Sequence, residues 1–262
     1  MDTFMNTGFL AYSSQKWTDH PSFRLATDVN REAMTILKTQ GKNMGTISKG
    51  EQERLIFAMS LRGVEIFQAV VLMAERGMVA EMAILTRSLL ETLFKAGAAS
   101  TSSENTSRIL IDDKIERRKQ LKRISKLNQY LTDIDRKQFE AELKHLDDLL
   151  KGQPKNALSI ESLAGNDHKD FYDLFCSYFS TAAHSSPRHL RQHIDILKDQ
   201  NMIRFTFKPR FQDVPFFLAM AIRVHLKLLR VVTSFFVIQD FPLDLLDQRL
   251  KELKPTVSQP SL

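Results

Sequence analysis

The sequence predicts an all-α protein, a multi-helix bundle built around a central antiparallel helical hairpin, on three observations. Glycine (9) and proline (8) are too scarce among 262 residues to supply the closely spaced turns of a β-sandwich. Apolar residues instead recur at three- and four-residue spacing over stretches longer than a strand. Start and stop signals bracket those stretches. Hydrophobic residues at 43% and charged residues at 26% are enough to bury a core and exclude a globally disordered chain.

In chain order, residues 1–20 are polar and irregular and are expected to be a flexible segment, followed by a weak helical pattern from Phe23 to Lys38 that ends near Gly41. The glycines at 41, 45 and 50 do not make a phosphate-binding loop, because Gly45 and Gly50 are followed by Glu51-Gln52 instead of Lys-Ser/Thr and Gly41-Lys42 lacks the earlier glycine. Ser48 and Glu51 have capping-box spacing and open a helix running to Arg76. Gly77 supplies a stop, and Val79 to Ala99 forms the second arm of the central hairpin. Thr101 to Ser107 reads as a polar linker, and residues 108–130 and 133–150 as two charged amphipathic helices, the second capped by Thr132. Gly152 and Pro154 then break the pattern.

Beyond the break, His168 to His184 carries Phe171, Phe175, Tyr178 and Phe179 at helical spacing, and Ser185-Ser186-Pro187 ends it. Met202 to Phe207 alternates, so at most one short β-hairpin is expected, near 202–210. Asp213 caps a long helix through Gln239, Pro242 precedes a short helix to Leu253, and the tail after it is expected to fray. The domain expectation is one helical domain over 21–253, with a charged helical arm at 104–151 and a flexible tail at 254–262.

Composition narrows the function classes. A formal charge of +6 favours polyanionic partners, RNA among them. Much of the excess lies in Arg117, Arg118, Lys119, Lys122, Arg123 and Lys126, which form a broad basic stripe on a helix. That stripe is either a phosphate-contacting surface or a solvated face partly neutralised by Asp112, Asp113 and Glu116. The single cysteine, Cys176, sits in an apolar run and reads as buried and inert, in keeping with a reducing cytoplasm. No secretory signal pattern opens the sequence, and the most membrane-like run, Pro215 to Gln239, contains Arg223, His225, Lys227 and Arg230, so no membrane partner is expected.

Arg87 and Glu91 lie one turn apart in an otherwise apolar helix, and Arg62 and Glu65 raise the same problem on the helix before it. Burying an unpaired charge costs several kcal/mol, so each group needs either a structural ion pair or a polar cavity. Two elements, Arg87-Ser88-Leu89-Leu90-Glu91 and the Tyr172 to Ser180-Thr181-Ala182-Ala183-His184 run, resemble a bacterial helical family of unknown function over roughly Leu55 to Phe236. The resemblance implies that Arg87, Glu91 and His184 converge into a polar cluster. His184 suits general acid or base work because its ordinary pKa is near neutrality, and it equally suits a structural hydrogen bond.

A second pattern, Arg188-His189-Leu190-Arg191-Gln192-His193, resembles the signature of the all-helical HEPN superfamily of metal-independent ribonucleases. That resemblance puts Arg188, His189 and His193 at the motif's arginine, polar and histidine places and implies a composite site across a homodimer, so Arg188 and His193 join His184 as catalytic candidates. Histidine can move the 2′-hydroxyl proton and arginine can stabilise charge on the phosphate. The alternative is a basic loop or short surface helix. A zinc site on His189 and His193 lacks an evident third ligand other than His184 or Asp195, so neither metal nor cofactor is expected. The functional expectation is a metal-independent ribonuclease or RNA-binding effector of a bacterial defence or toxin system. The alternative is a noncatalytic helical interaction or ligand-sensing module, with an unidentified protein partner open to either.

Overall fold

A computed structural model describes residues 9, 19–44, 50–126, 132–154, 158–165, 168–173, 179, 194–197, 202–205 and 208–253. Most of 1–20 and all of 254–262, expected to be flexible, lie outside the described residues. The elements are α1 (Pro21–Met44), α2 (Glu51–Glu75), α3 (Val79–Thr101), α4 (Ser103–Ile124), α5 (Asp133–Leu149), α6 (Ile160–Ala164), a single turn α7 (Lys169–Phe171), β1 (Ile194–Leu197), β2 (Met202–Phe205), a 3-10 turn (Phe211–Asp213), α8 (Val214–Phe235) and α9 (Leu243–Glu252). This is the expected all-α bundle with one two-stranded sheet.

The hairpin of α2 and α3 is its centre, and α8 packs against both. Gly77 makes the reversal possible: at φ 68° it occupies the left-handed region, while the Met78 amide bonds the Met73 carbonyl at 3.0 Å and the Gly77 amide bonds the Ala74 carbonyl at 3.0 Å. A Cβ at Gly77 would also meet Pro209 at 2.8 Å, and Arg210 donates its amide to the Gly77 carbonyl at 3.0 Å. The hairpin turn is thereby tied to the segment that leads into α8.

Helices α2 and α8 cross at Gly63, where an added Cβ would lie 2.2 Å from Leu228 Cδ2. One turn along each helix from that crossing, Phe67 stacks on His225 with centroids 4.4 Å apart. Both rings are fully buried, and Phe67 contributes roughly 1.5–3 kcal/mol by leaving water. Helix α2 is long and apolar enough to cross a membrane, yet here Ile56, Phe67, Val70 and Ala74 are fully buried against protein, as in a core helix. The run from Pro215, the most membrane-like in the sequence reading, is α8, which is more fully buried than α2.

Four local expectations need correction. Helix α2 begins on Gly50 without a side-chain cap, so Glu51 is its first residue and not the third; Ser48 lies outside the described residues. The linker expected at 101–107 is mostly helix, because Ser102 caps α4 by accepting the Asn105 amide at 3.1 Å. Asn105 and Thr106 meanwhile serve the open carbonyls of Ala98 and Ala99 at the end of α3. Asp213 makes no capping bond to α8 and instead pairs with Arg210 at 2.5 Å. The hairpin lies earlier than 202–210: β1 pairs antiparallel with β2 in the register Ile194 with Phe205 and Leu197 with Met202. By contrast Thr132 caps α5 as expected, in a full capping box with Asp135.

Candidate functional site

Helix α3 is flanked by α2, α8, α4 and α6, so a polar side chain on it has few routes to water. Arg87 and Glu91 find one. Arg87 Nε lies 3.2 Å from Glu91 Oε1, and the two side chains keep 25% and 33% of their exposure. They form the one-turn pair that the sequence spacing suggests. Arg62 and Glu65 also pair, at 3.2 Å, but on the outer face of α2 with 63% and 67% exposure. They carry no burial cost, contrary to expectation.

One turn beyond Glu91, Phe94 is fully buried and faces His168 and Tyr172, with centroids 6.0 and 6.4 Å away. Gly97 lets the His168 ring sit directly on α3, since a Cβ there would be 3.1 Å from Nε2. Further along, Phe179 is fully buried with its ring 6.1 Å from Phe217, in the first turn of α8. The starts of α3 and α8 share one end of the bundle, joined by the Gly77 to Arg210 hydrogen bond. His168 and Phe179 therefore mark opposite ends of α3, and Arg87 belongs to the half that Phe179 approaches. His184, Arg188, His189, His193 and Cys176 lie outside the described residues. The structure brings Arg87 and Glu91 together and describes none of the other site candidates between 184 and 193.

The basic stripe on α4 has carboxylate partners across the arm. Arg117 grips Glu142 at 2.7 and 3.0 Å, Arg118 pairs with Asp147, and Lys122 Nζ is 3.9 Å from the same carboxylate. Lys119 pairs with Glu116 at 2.7 Å. The hydrogen bond between Arg117 and Glu142 raises the guanidinium above its ordinary pKa and holds the carboxyl below its own. Helix α4 carries seven lysines and arginines against four carboxylates, and α5 six carboxylates against three, so the two charge excesses cancel. Arg123 and Lys126 remain exposed beyond these pairs. The acidic excess of α5 was the sequence signal that a neighbouring helix pairs with part of the stripe.

A second polar region was missed. Ser100, His168, Lys227, Arg230, Val231, Ser234 and Phe235 line an open cleft of about 470 Å³ between the end of α3 and the last turns of α8. The signal for it was Arg223, Lys227 and Arg230 spaced four and three residues apart on an otherwise apolar helix. No group of three or more metal-ligating side chains occurs among the described residues. Deeper in α8, His225 is fully buried with neither ring nitrogen hydrogen-bonded, and burial pushes its pKa down to about 3.

No curated protein and no solved structure matches the chain significantly. One family does, a helical family of unknown function (DUF5677), over residues 53–202. The matched span contains Arg87, Glu91, His168 and the 184–193 segment, and stops before Lys227 and Arg230. Because it covers more than half of the sequence, the chain belongs to the DUF5677 family.

Proposed function

We propose that the protein is a cytoplasmic helical module that binds a polar ligand at Arg87 and Glu91, with His184 completing the site. The observation that supports this reading is the partly exposed ion pair on α3, a helix packed against α2, α4, α6 and α8. As a purely structural lock, a buried pair gains little over well-packed apolar residues, whereas a pair that keeps solvent access on one side offers a ligand both a fork of donors and an acceptor. Thermal-shift measurements on the wild type, Arg87→Lys and Glu91→Gln against amino acids, carboxylates and nucleotides test it. One ligand class should raise the wild-type Tm and leave the variants unmoved. A panel that shifts none of the proteins, or shifts all three equally, defeats the reading.

A second reading, a metal-independent ribonuclease or RNA-binding effector of a bacterial defence or toxin system, is favoured by the +6 charge and the cation-lined cleft beside α8. In it Arg188 stabilises the phosphate, His193 moves the proton, His184 assists, and a homodimer completes the site. The pairing of Arg117 and Arg118 with α5 shifts the expected capture surface to Arg123 and Lys126. Incubation with total RNA decides it: cleavage that survives EDTA and is lost in Arg188→Ala and His193→Ala supports a nuclease. Intact RNA, or turnover unchanged in His193→Ala, removes it.

A further inference from the structure

Helix α8 is buried on nearly every side, and Arg223, Lys227 and Arg230 fall on its remaining half-buried stripe. Counter-charge is short there. Arg230 reaches Asp244 at 2.9 Å and Asp247 at 3.7 Å, but the Asp244 side chain is fully exposed, and Asp247 also serves Lys251 at 2.9 Å and feels Arg223. Lys227 has no carboxylate within 4.0 Å among the described residues, and its ammonium is steadied 4.5 Å from the Phe171 ring centre. A half-buried cation held by an aromatic face loses part of its hydration, which raises its attraction for an anion.

The rest of the cleft fits such an anion. None of its lining residues is acidic. The Ser100 hydroxyl is committed to the Gly97 carbonyl at 2.7 Å, which leaves the exposed Ser234 hydroxyl as a donor, while the His168 ring, seated on Gly97, lines the same cleft. Val231 and Phe235 add an apolar wall, and about 470 Å³ falls within the roughly 300–1,000 Å³ of small-molecule sites. An ammonium, a guanidinium and a hydroxyl match a multiply charged oxyanion with several free oxygens better than a planar carboxylate, which a single arginine fork satisfies.

We propose that this cleft binds the phosphate group of a phosphate ester, with Lys227 and Arg230 supplying the charge, Ser234 a hydroxyl donor, and Val231 and Phe235 the surface for the organic part. Ser100 stands thirteen residues beyond Arg87 on α3, about 20 Å along the helix, so the cleft is separate from the Arg87/Glu91 site and independent of that reading. Two sources share the chemistry, a free nucleotide and an RNA strand.

Calorimetric titration of the full chain with adenosine 5′-monophosphate, adenosine and a short single-stranded RNA distinguishes them. The expected result is binding of the monophosphate but not of adenosine, weakened about tenfold in Lys227→Gln and in Arg230→Gln, a few-fold in Ser234→Ala, and restored in Lys227→Arg. Circular dichroism establishes that each variant is folded; if Lys227→Gln is not, Arg230→Gln and the exposed Ser234→Ala decide. Lys227-dependent binding of RNA without binding of the monophosphate assigns the phosphate to a strand and leaves the cleft standing. Absence of binding to either phosphate, or equal affinity in the wild type and the charge-removing variants, overturns the proposal.

Discussion

His225 makes the folded state sensitive to acid in a way that one substitution can isolate. Its ring is fully buried against Phe67, with both nitrogens unbonded, and its pKa falls from 6.5 to about 3. Between those values the unfolded chain takes up a proton that the folded chain refuses, so stability rises with pH and is lost as pH falls below about 6.5. At 1.36 kcal/mol per pKa unit the full difference is about 5 kcal/mol, reached only near pH 3, and about 2 kcal/mol of it has gone by about pH 5. His225→Leu keeps comparable apolar bulk and removes both the titration and the two unbonded nitrogens. Urea unfolding of the wild type and His225→Leu at about pH 7.5 and about pH 5 should show the gap between them widening by about 2 kcal/mol in favour of the variant. Other titrating groups contribute to both proteins and cancel. A gap that stays constant across that range refutes the assignment of a neutral, proton-excluding His225.

Three other experiments probe packing and charge. Gly63→Ala crowds the α2/α8 crossing, because its Cβ would lie 2.2 Å from Leu228 Cδ2 and that buried side chain must turn aside; overpacking of about 1–3 kcal/mol, offset by about 1 kcal/mol of helix propensity, should leave a net loss in denaturant unfolding. Val237 sits at φ 53° just past α8 with 76% of its surface exposed, so Val237→Gly relieves left-handed strain without losing packing and should raise stability by about 0.5–1 kcal/mol, read as a higher Tm. Arg87→Ala leaves a half-buried Glu91 without its 3.2 Å partner; a double-mutant cycle with Glu91→Ala should give a coupling of about 1 kcal/mol, and zero coupling would reduce the pair to a coincidence of spacing.

Much of the fold was legible because it rests on local signals. The apolar density of α2 and α3, the left-handed stop at Gly77 and the cap at Thr132 are each settled within a few residues. What escaped depends on neighbours distant in sequence. Residues 101–107 look like a linker until Asn105 and Thr106 are seen serving the carbonyls of Ala98 and Ala99. The α4 stripe looks uniformly basic until Glu142 and Asp147 arrive from α5 to pair with Arg117 and Arg118. Arg62 and Glu65 look trapped in an apolar helix until the outer face of α2 is known. The cleft at Lys227 was hidden for the same reason, since it exists only where the end of α3, His168 and the end of α8 meet.

The ion pair between Arg249 of α9 and Asp28 of α1, 2.8 Å long and separated by 221 residues, carries a consequence for biosynthesis. α1 packs on α2, which follows it at once, but also on α8 and α9, which are made far later. At about 5–20 residues per second, α1 waits roughly 10–45 s between its own synthesis and that of α9. Throughout that interval the face that will meet α8 and α9 is open to solvent and to any chaperone that recognises apolar helices. Helix α1 is thus among the last of the described helices to be fully enclosed, and a ribosome stalled before α8 would hold a chain in which α1 is still half unclothed.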